Sequence, residues 1–562
     1  MSAARLAPAR RRGLLRSLVA GSAVAASVVL AVVMVPAAAS AEEPAGTPVV
    51  GRLLQAWSEA DPGAEGHGDG HADGHADEEL TSWVQTPAGE FLRIRTEDVA
   101  GVPAGATVGL TVGQADGDDT EDPLHEVTDA EVVALPVAPL LTEKAGRTNQ
   151  VTVALVAPAG AARDGVTAQQ VVDLVDGPVA DFWSEQTDGA IAVGVTDARD
   201  WITTAAGCSE PTALWDEAAA SVGFVPGPGK HLLLYVSSRA TDCAYALAEV
   251  GAGPGSGGRM YVRDTIASVV AHELGHNFGL GHSSARQCDG AVESASCRTV
   301  GYRDYYDVMG VSWSQLGSLN AAQAARLGVL PAAAQQALTV PAAPVTVTLS
   351  PISGRSGTRA VRLTDAEGSD HWLEYRPAAG RDSWLGTSAN RYRLDSGVLL
   401  RESGDLPDTS VLVDATPGPS AGWNTDHQAA LPVGTAVPVA GGAFTVVVEG
   451  VSPTGAIVRV TPAPLGTASS AEPAAPRPAG SDVAVLPAGT DAAVPAPAPG
   501  TAELAAPALL RAELEDRASG TPAGAGFPVV LVGAVLLGAL ALLAGTLLGV
   551  RRLRTRPVPT RA

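Results

Sequence analysis

The pattern of hydrophobic and polar positions changes along the chain. Over 81–135 it is β-like: Ser82-Trp83-Val84-Gln85-Thr86 and Glu90-Phe91-Leu92-Arg93-Ile94 flank Pro-Ala-Gly, a hairpin signal. This predicts a small β-rich N-terminal module over 42–146, a propeptide or accessory domain by its position. From Arg147 the periods mix. Residues 150–156, 191–195, 231–236 and 259–263 are apolar enough for buried strands. Thr167 can cap a helix carrying Val171, Val172, Val175 and Val179. Further helices are expected over 211–222, from near Thr265, and over 319–338. The segment 147–340 is thus an α/β (α+β) domain. Residues 344–349, 359–363, 372–376, 397–401 and 444–448 are short strands between turn residues, which predicts a β-sandwich domain over 341–463.

The two ends have a different character. Arg5, Arg10, Arg11, Arg12 and Arg16 precede an apolar run over 18–35, and Ala39-Ser40-Ala41 fits a small-residue cleavage site. Residues 1–41 therefore read as a signal peptide, with an uncleaved anchor as the alternative. The Arg11-Arg12 run is similar to a twin-arginine signal and does not separate that route from general secretion. Residues 464–526 are rich in Ala, Pro, Ser and Thr and suit an extended stalk. The stretch 527–550 has no charge and is long enough for a transmembrane helix. Arg551, Arg552, Arg554, Arg556 and Arg561 follow it. They mark 551–562 as a cytoplasmic tail and place the preceding domains outside, in an exported, single-pass cell-membrane protein. Leu486-Pro487-Ala488-Gly489-Thr490 has the wrong order for a sortase signal, so wall attachment is the weaker reading.

Composition narrows the partners. The chain has 562 residues and a formal net charge of −23, which argues against nucleic acid because phosphate contacts need clustered Lys and Arg. Lys144 and Lys230 are its only lysines, and the Ala, Gly, Val, Pro and Arg usage reads as a GC-rich bacterial genome. His67, His71 and His75 alternate with Asp69, Asp73 and Asp77 in a Gly-rich tract. Weak metal scavenging is one reading, a solvated acidic loop the favoured one. Cys208, Cys243, Cys288 and Cys297 are the only cysteines, even in number and without a C-x-x-C pair, so disulfides are expected in an exported chain. Three connectivities exist; proximity favours Cys208–Cys243 and Cys288–Cys297. No cysteine lies upstream of Cys208, so a propeptide thiolate cannot cap a metal.

The chemistry concentrates in His272-Glu273-Leu274-Gly275-His276-Asn277-Phe278-Gly279-Leu280-Gly281-His282. His272 and His276 project from one helix face and can bind one Zn²⁺. Glu273 can reach the water the metal activates and act as general base. Gly279 can end the helix with φ > 0 and bring His282 back as third ligand. Three protein ligands leave one position open, as catalytic zinc requires. Downstream, Asp307-Val308-Met309-Gly310 places a methionine in a tight turn.

The extended histidine motif with a following Met-turn is the metzincin signature. The run is most similar to the gametolysin-like zinc metalloproteases. The resemblance is close over about 260–312 and looser beyond. It implies a metzincin-type catalytic domain with a sheet above the cleft, Met309 as an apolar floor under the zinc ligands, and a protein or peptide substrate adding to an edge strand. The β-domain after it would present substrate or stabilise the chain.

Other readings are weaker. The glycines of 251–258 lack the Gly-Lys-Ser/Thr of a phosphate loop. His371 beside Asp370 has no G-x-S-x-G elbow to serve. Calcium fits an acidic exported protein, but no loop is specific enough to assign it. Of a different class is a surface adhesion or binding protein whose protease domain is inactive. A purely structural zinc is a third reading.

Overall fold

The computed structural model describes residues 46–463, apart from 60–79, 117–122, 145, 311–314, 341 and 419–425. The expected signal peptide, His/Asp tract, stalk, membrane span and cytoplasmic tail lie outside the described residues. Among those described, no helix is long and apolar enough to cross a membrane.

The N-terminal segment forms strands β1 (Thr47–Glu59), β2 (Leu80–Gln85), β3 (Phe91–Ile94), β4 (Thr107–Asp116) and β5 (Leu124–Ala134). They pair in the order β2-β3-β5-β4-β1, and β1 also pairs with β2, so the strands close into a barrel. Leu53, Val84, Ile94, Val108 and Leu110 fill it, supplied by the inward positions of alternating strands. β1 is longer than the barrel needs. Its first half pairs with β4 and its middle with β2, while residues 56–59 run on and pair with the next domain. The connector after β5 is open to solvent, with Leu135 68%, Val137 88% and Leu140 87% exposed.

The central segment contributes β6 (Asn149–Ala157), β7 (Val193–Thr203), β8 (Lys230–Val236), β9 (Ala246–Glu249) and β10 (Gly258–Val262). β7, β6, β8 and β10 run parallel, and β9 closes the row antiparallel to β10. β1 then pairs antiparallel with β9, so barrel and central strands form one ten-stranded sheet. Helix α1 (Ala168–Leu174) begins at the expected Thr167, whose hydroxyl accepts from the Gln170 amide in a reciprocal capping box. Gly177 and Pro178 break the predicted helix, which resumes as α2 (Ala180–Gln186). Helix α3 (Pro211–Val222) starts on its proline, and α4 (Ala267–Asn277) crosses beneath the sheet with every residue from Ser268 onward buried. Disulfides join Cys208 to Cys243 and Cys288 to Cys297, the pairing favoured by proximity.

The helix expected over 319–338 is much shorter. α5 spans Ala321–Arg326, capped by the Asn320 side chain, and stops before Gly328 at φ 69°. Pro331 follows, and Gln335–Thr339 pairs as a parallel strand with Ala360–Thr364. Tertiary pairing overrides the helical propensity of this alanine-rich stretch.

The C-terminal segment builds two packed sheets. One has four strands, Val345–Leu349, Gly455–Pro462, Phe444–Ser452 and Ala436–Val439. The other has seven and includes β11 (His282–Cys288) and β12 (Cys297–Val300), which come from the central segment. β11 lies parallel to Asp408–Val413. This shared sheet buries an ionic cluster. Glu374 Oε1 accepts from Arg376 Nε at 2.8 Å and from Arg401 Nε at 2.9 Å, while its Oε2 accepts the Ala321 amide at 2.7 Å. Arg401 also pairs with Asp304, and Arg376 donates to the carbonyls of Tyr306 and Ser318. All the side chains named as ion pairs here are shielded from solvent.

Burial by itself would raise the Glu374 carboxyl, but Arg401 and Arg376 outweigh it and hold it down at about 2. Its contribution is therefore complete above the ordinary carboxylate range and is lost as pH falls from there through about 2. Glu374→Gln leaves two buried guanidiniums undercompensated and is expected to cost about 3–5 kcal/mol. Denaturant unfolding should show that loss, with the central and C-terminal segments melting in a single transition because they share a sheet and this cluster.

Candidate metal centre

Helix α4 carries the first two histidines on one face, and both are oriented through their Nδ1 atoms. His272 Nδ1 donates to the Val308 carbonyl at 2.8 Å and His276 Nδ1 to the Leu280 carbonyl at 2.9 Å. Protonation at Nδ1 puts the lone pair on each Nε2, the atom a metal would take. Gly279 adopts φ 90°, and a Cβ there would press on the backbone of Gly251 and Gly253. This glycine lets the chain reverse, and His282 opens β11 with its amide bonded to the Pro407 carbonyl at 2.8 Å. Asn277 fastens the end of α4 to the sheet. Its Nδ2 donates to the Glu249 carbonyl at 2.8 Å, and its Oδ1 lies 2.9 Å from Nδ1 of the buried His231.

Met309 lies directly under α4, fully buried. A Cβ on Gly275, between the two helical histidines, would clash with Met309 Sδ. Asp307 shapes the turn, accepting the Met309 amide at 2.9 Å and the Asn320 amide at 2.7 Å. The Met309 carbonyl accepts the Ser283 amide at 2.8 Å, linking the turn to the residue after the third histidine.

The Nε2 atoms of His272, His276 and His282 converge on one point, and the fourth group there is Glu59 from the end of β1. Its Oε1 lies 3.3 Å from each of the three nitrogens. Trp57, two residues earlier, packs edge-on against His282 with ring centroids 4.2 Å apart, and its indole N–H donates to the Tyr302 hydroxyl. Tyr302 covers the other side of His282 at 3.6 Å, held with a left-handed φ of 58°. Glu273 is fully buried, and neither carboxylate oxygen has a hydrogen-bond partner among the described residues.

Burial keeps His276 and His282 neutral, pushing His282 down to about 3. His272 moves up because the Glu59 carboxylate outweighs its burial. Burial first, and then the like charge of Glu59, push the Glu273 carboxyl well above the ordinary range. A dication at the histidines would act in the opposite direction.

These residues fit a metal ion. Three imidazoles with Nε2 lone pairs suit Zn²⁺, and the two buried carboxylates supply the charge that a dication balances. In a tetrahedron with metal–ligand bonds of about 2.0–2.1 Å, neighbouring ligand atoms stand roughly 3.3 Å apart. The three Glu59–histidine distances of 3.3 Å are that edge length, longer than the usual 2.7–3.0 Å of a charge-assisted hydrogen bond.

Residues 235–305 match the family model described as metallo-peptidase family M12B, reprolysin-like. Over this stretch the chain is similar to metallopeptidases. Among curated proteins none matches the chain in sequence. The reprolysin-like segment runs from β8 through α4 and β11 to just short of the Met-turn. It contains the three histidines, Glu273, Gly279 and Tyr302, but neither Glu59 nor Met309.

The sequence reading therefore named His272, Glu273, Gly279, His276, His282 and Met309, and the fold brings all of them to one place. It missed Glu59, Trp57 and Tyr302. No local pattern marks Glu59, which ends an apolar strand far upstream. His371 lies away from this centre, in the seven-stranded sheet, 3.6 Å from Asp365 and 3.7 Å from Glu402.

Alanine in place of glycine inside a helix ordinarily gains about 0.5–1 kcal/mol. At Gly275 the clash with buried Met309 should outweigh this, so Gly275→Ala is expected to lose about 1–3 kcal/mol net. Met309→Leu keeps the volume and should cost less than about 1.5 kcal/mol. Thermal melts and zinc titrations of the two variants check this order, with metal affinity falling only in the first.

Proposed function

We propose that this chain is a zinc-dependent endopeptidase of metzincin type, similar to the gametolysin-like enzymes, acting on proteins or peptides at the cell surface. The observation that carries the reading is the convergence of three Nε2 atoms, two of them from the helix that carries Glu273, whose buried carboxylate has no hydrogen-bond partner among the described residues. The outside location rests on the terminal sequence patterns alone.

When bound by His272, His276 and His282, zinc supplies a Lewis acid that polarises the scissile carbonyl and makes water nucleophilic near neutral pH. The rest of the work belongs to side chains. Glu273, next to the first histidine on α4, takes the proton of the attacking water and returns it to the leaving amine. The Val308 and Leu280 carbonyls fix the imidazole orientations, and Met309 supports the helix that presents them. β9 lies at the end of the central strands next to the centre, and an extended peptide would add to it antiparallel in the place now taken by the end of β1.

The first test is metal content and chelator-sensitive casein hydrolysis of the full chain, before and after limited proteolysis. One zinc per chain is expected. Glu273→Gln should retain that zinc and lose about 10²–10⁴ of the turnover developed by the same treatment. Substantial cleavage by this variant would remove Glu273 from the mechanism, and a chain that binds no metal would favour a surface binding protein.

A further inference from the structure

We propose that Glu59 is a fourth protein ligand of the metal, and that the N-terminal barrel thereby makes the intact chain a latent enzyme. The inference rests on the metallopeptidase reading and adds its regulation. A catalytic zinc needs an open position, and four protein ligands close it. The site as folded is closed.

Four observations place Glu59 in this role. Its carboxylate oxygen stands at equal distances of 3.3 Å from the three imidazole nitrogens, which no single hydrogen bond would produce. The side chain is 1% exposed, and among the described residues it has no Arg or Lys partner. A buried carboxylate with no Arg or Lys beside it is costly, whereas one bound to a dication is not. The strand that delivers it also fills the substrate's place. Ala56, Trp57, Ser58 and Glu59 pair antiparallel with Glu249, Ala248, Leu247 and Ala246, the register an added peptide strand would use. Trp57 then seals the centre, with its ring on His282 and its indole on Tyr302.

The arrangement performs what a propeptide cysteine would perform in a chain that has none upstream of Cys208. Opening it requires the last four residues of β1, Ala56 to Glu59, to leave β9. That movement exposes the metal, the β9 edge and the Tyr302 hydroxyl together.

The test uses the full chain as wild type, Glu59→Ala and Glu59→Gln, each loaded with Co²⁺ in place of zinc. Visible absorption reports the ligand set, and a peptide hydroxamate probes access to the metal. The expected result is a wild-type spectrum insensitive to hydroxamate. Glu59→Ala should hold one metal per chain, show an altered spectrum that shifts on adding hydroxamate, and cleave peptides about tenfold faster or more. If the alanine variant fails to fold, the isosteric glutamine variant gives the same readings.

Identical spectra and equal cleavage in wild type and variants would overturn the assignment while leaving the metallopeptidase reading intact. A variant with an altered spectrum that binds hydroxamate no better and cleaves nothing would overturn latency, because the centre would then be a closed structural site. Failure of every form to bind Co²⁺ or Zn²⁺ would remove the metallopeptidase reading itself, and this inference with it.

Discussion

Two guanidinium groups without access to solvent, those of Arg376 and Arg401, set the conditions for the rest of the protein. They come from adjacent strands of the C-terminal segment and share Glu374. From there they reach Asp304 and the Tyr306 carbonyl in the segment that shapes the Met-turn. Asp304 in turn accepts the Ser283 hydroxyl, next to the third histidine, at 2.7 Å. Buried ion pairs often add little net stability compared with apolar packing, but they fix geometry because a misplaced charge is expensive. The cluster thus ties the floor of the metal centre to the strands Asp370–Arg376 and Gly397–Ser403 of the C-terminal segment.

The same logic explains why the C-terminal strands are more than an appendage. β11 begins on a metal-centre histidine and continues as a strand of the seven-stranded sheet. Ile352, Ala360 and Trp372 belong to the hydrophobic core that packs around α4. A protease domain cut after residue 340 would lose the neighbours of its own third histidine.

What was legible in the sequence was local. The spacing of His272, His276 and His282 is a property of one helix and one turn, and short-range periodicity carries it. Cys288 and Cys297 lie close enough along the chain for proximity to pair them. The alternating strands of the C-terminal segment were visible too, though not which sheet each would join. What failed to show was long-range. Glu59 lies 217 residues before His276, and it meets the centre only because β1 outruns its barrel. Tyr302 is placed by a left-handed backbone that no sequence period announces. The alanine-rich stretch after residue 320 has helical propensity throughout, yet Gln335–Thr339 finds a strand partner and leaves the helix short.

Strand β1 is continuous from the barrel wall to the metal centre, so in the ligand role proposed above its carboxylate is a tethered competitor. A free carboxylate in solution meets such a centre at whatever concentration the medium supplies. A tethered one arrives at an effective concentration on the order of millimolar or above, set by chain geometry and independent of dilution. Under the latency proposed above, peptides would compete with one tethered carboxylate rather than with water. Once the connector between barrel and central segment is severed, the contest becomes bimolecular and obeys mass action. The same contacts that hold at any protein concentration in the intact chain would then weaken simply as the solution is diluted.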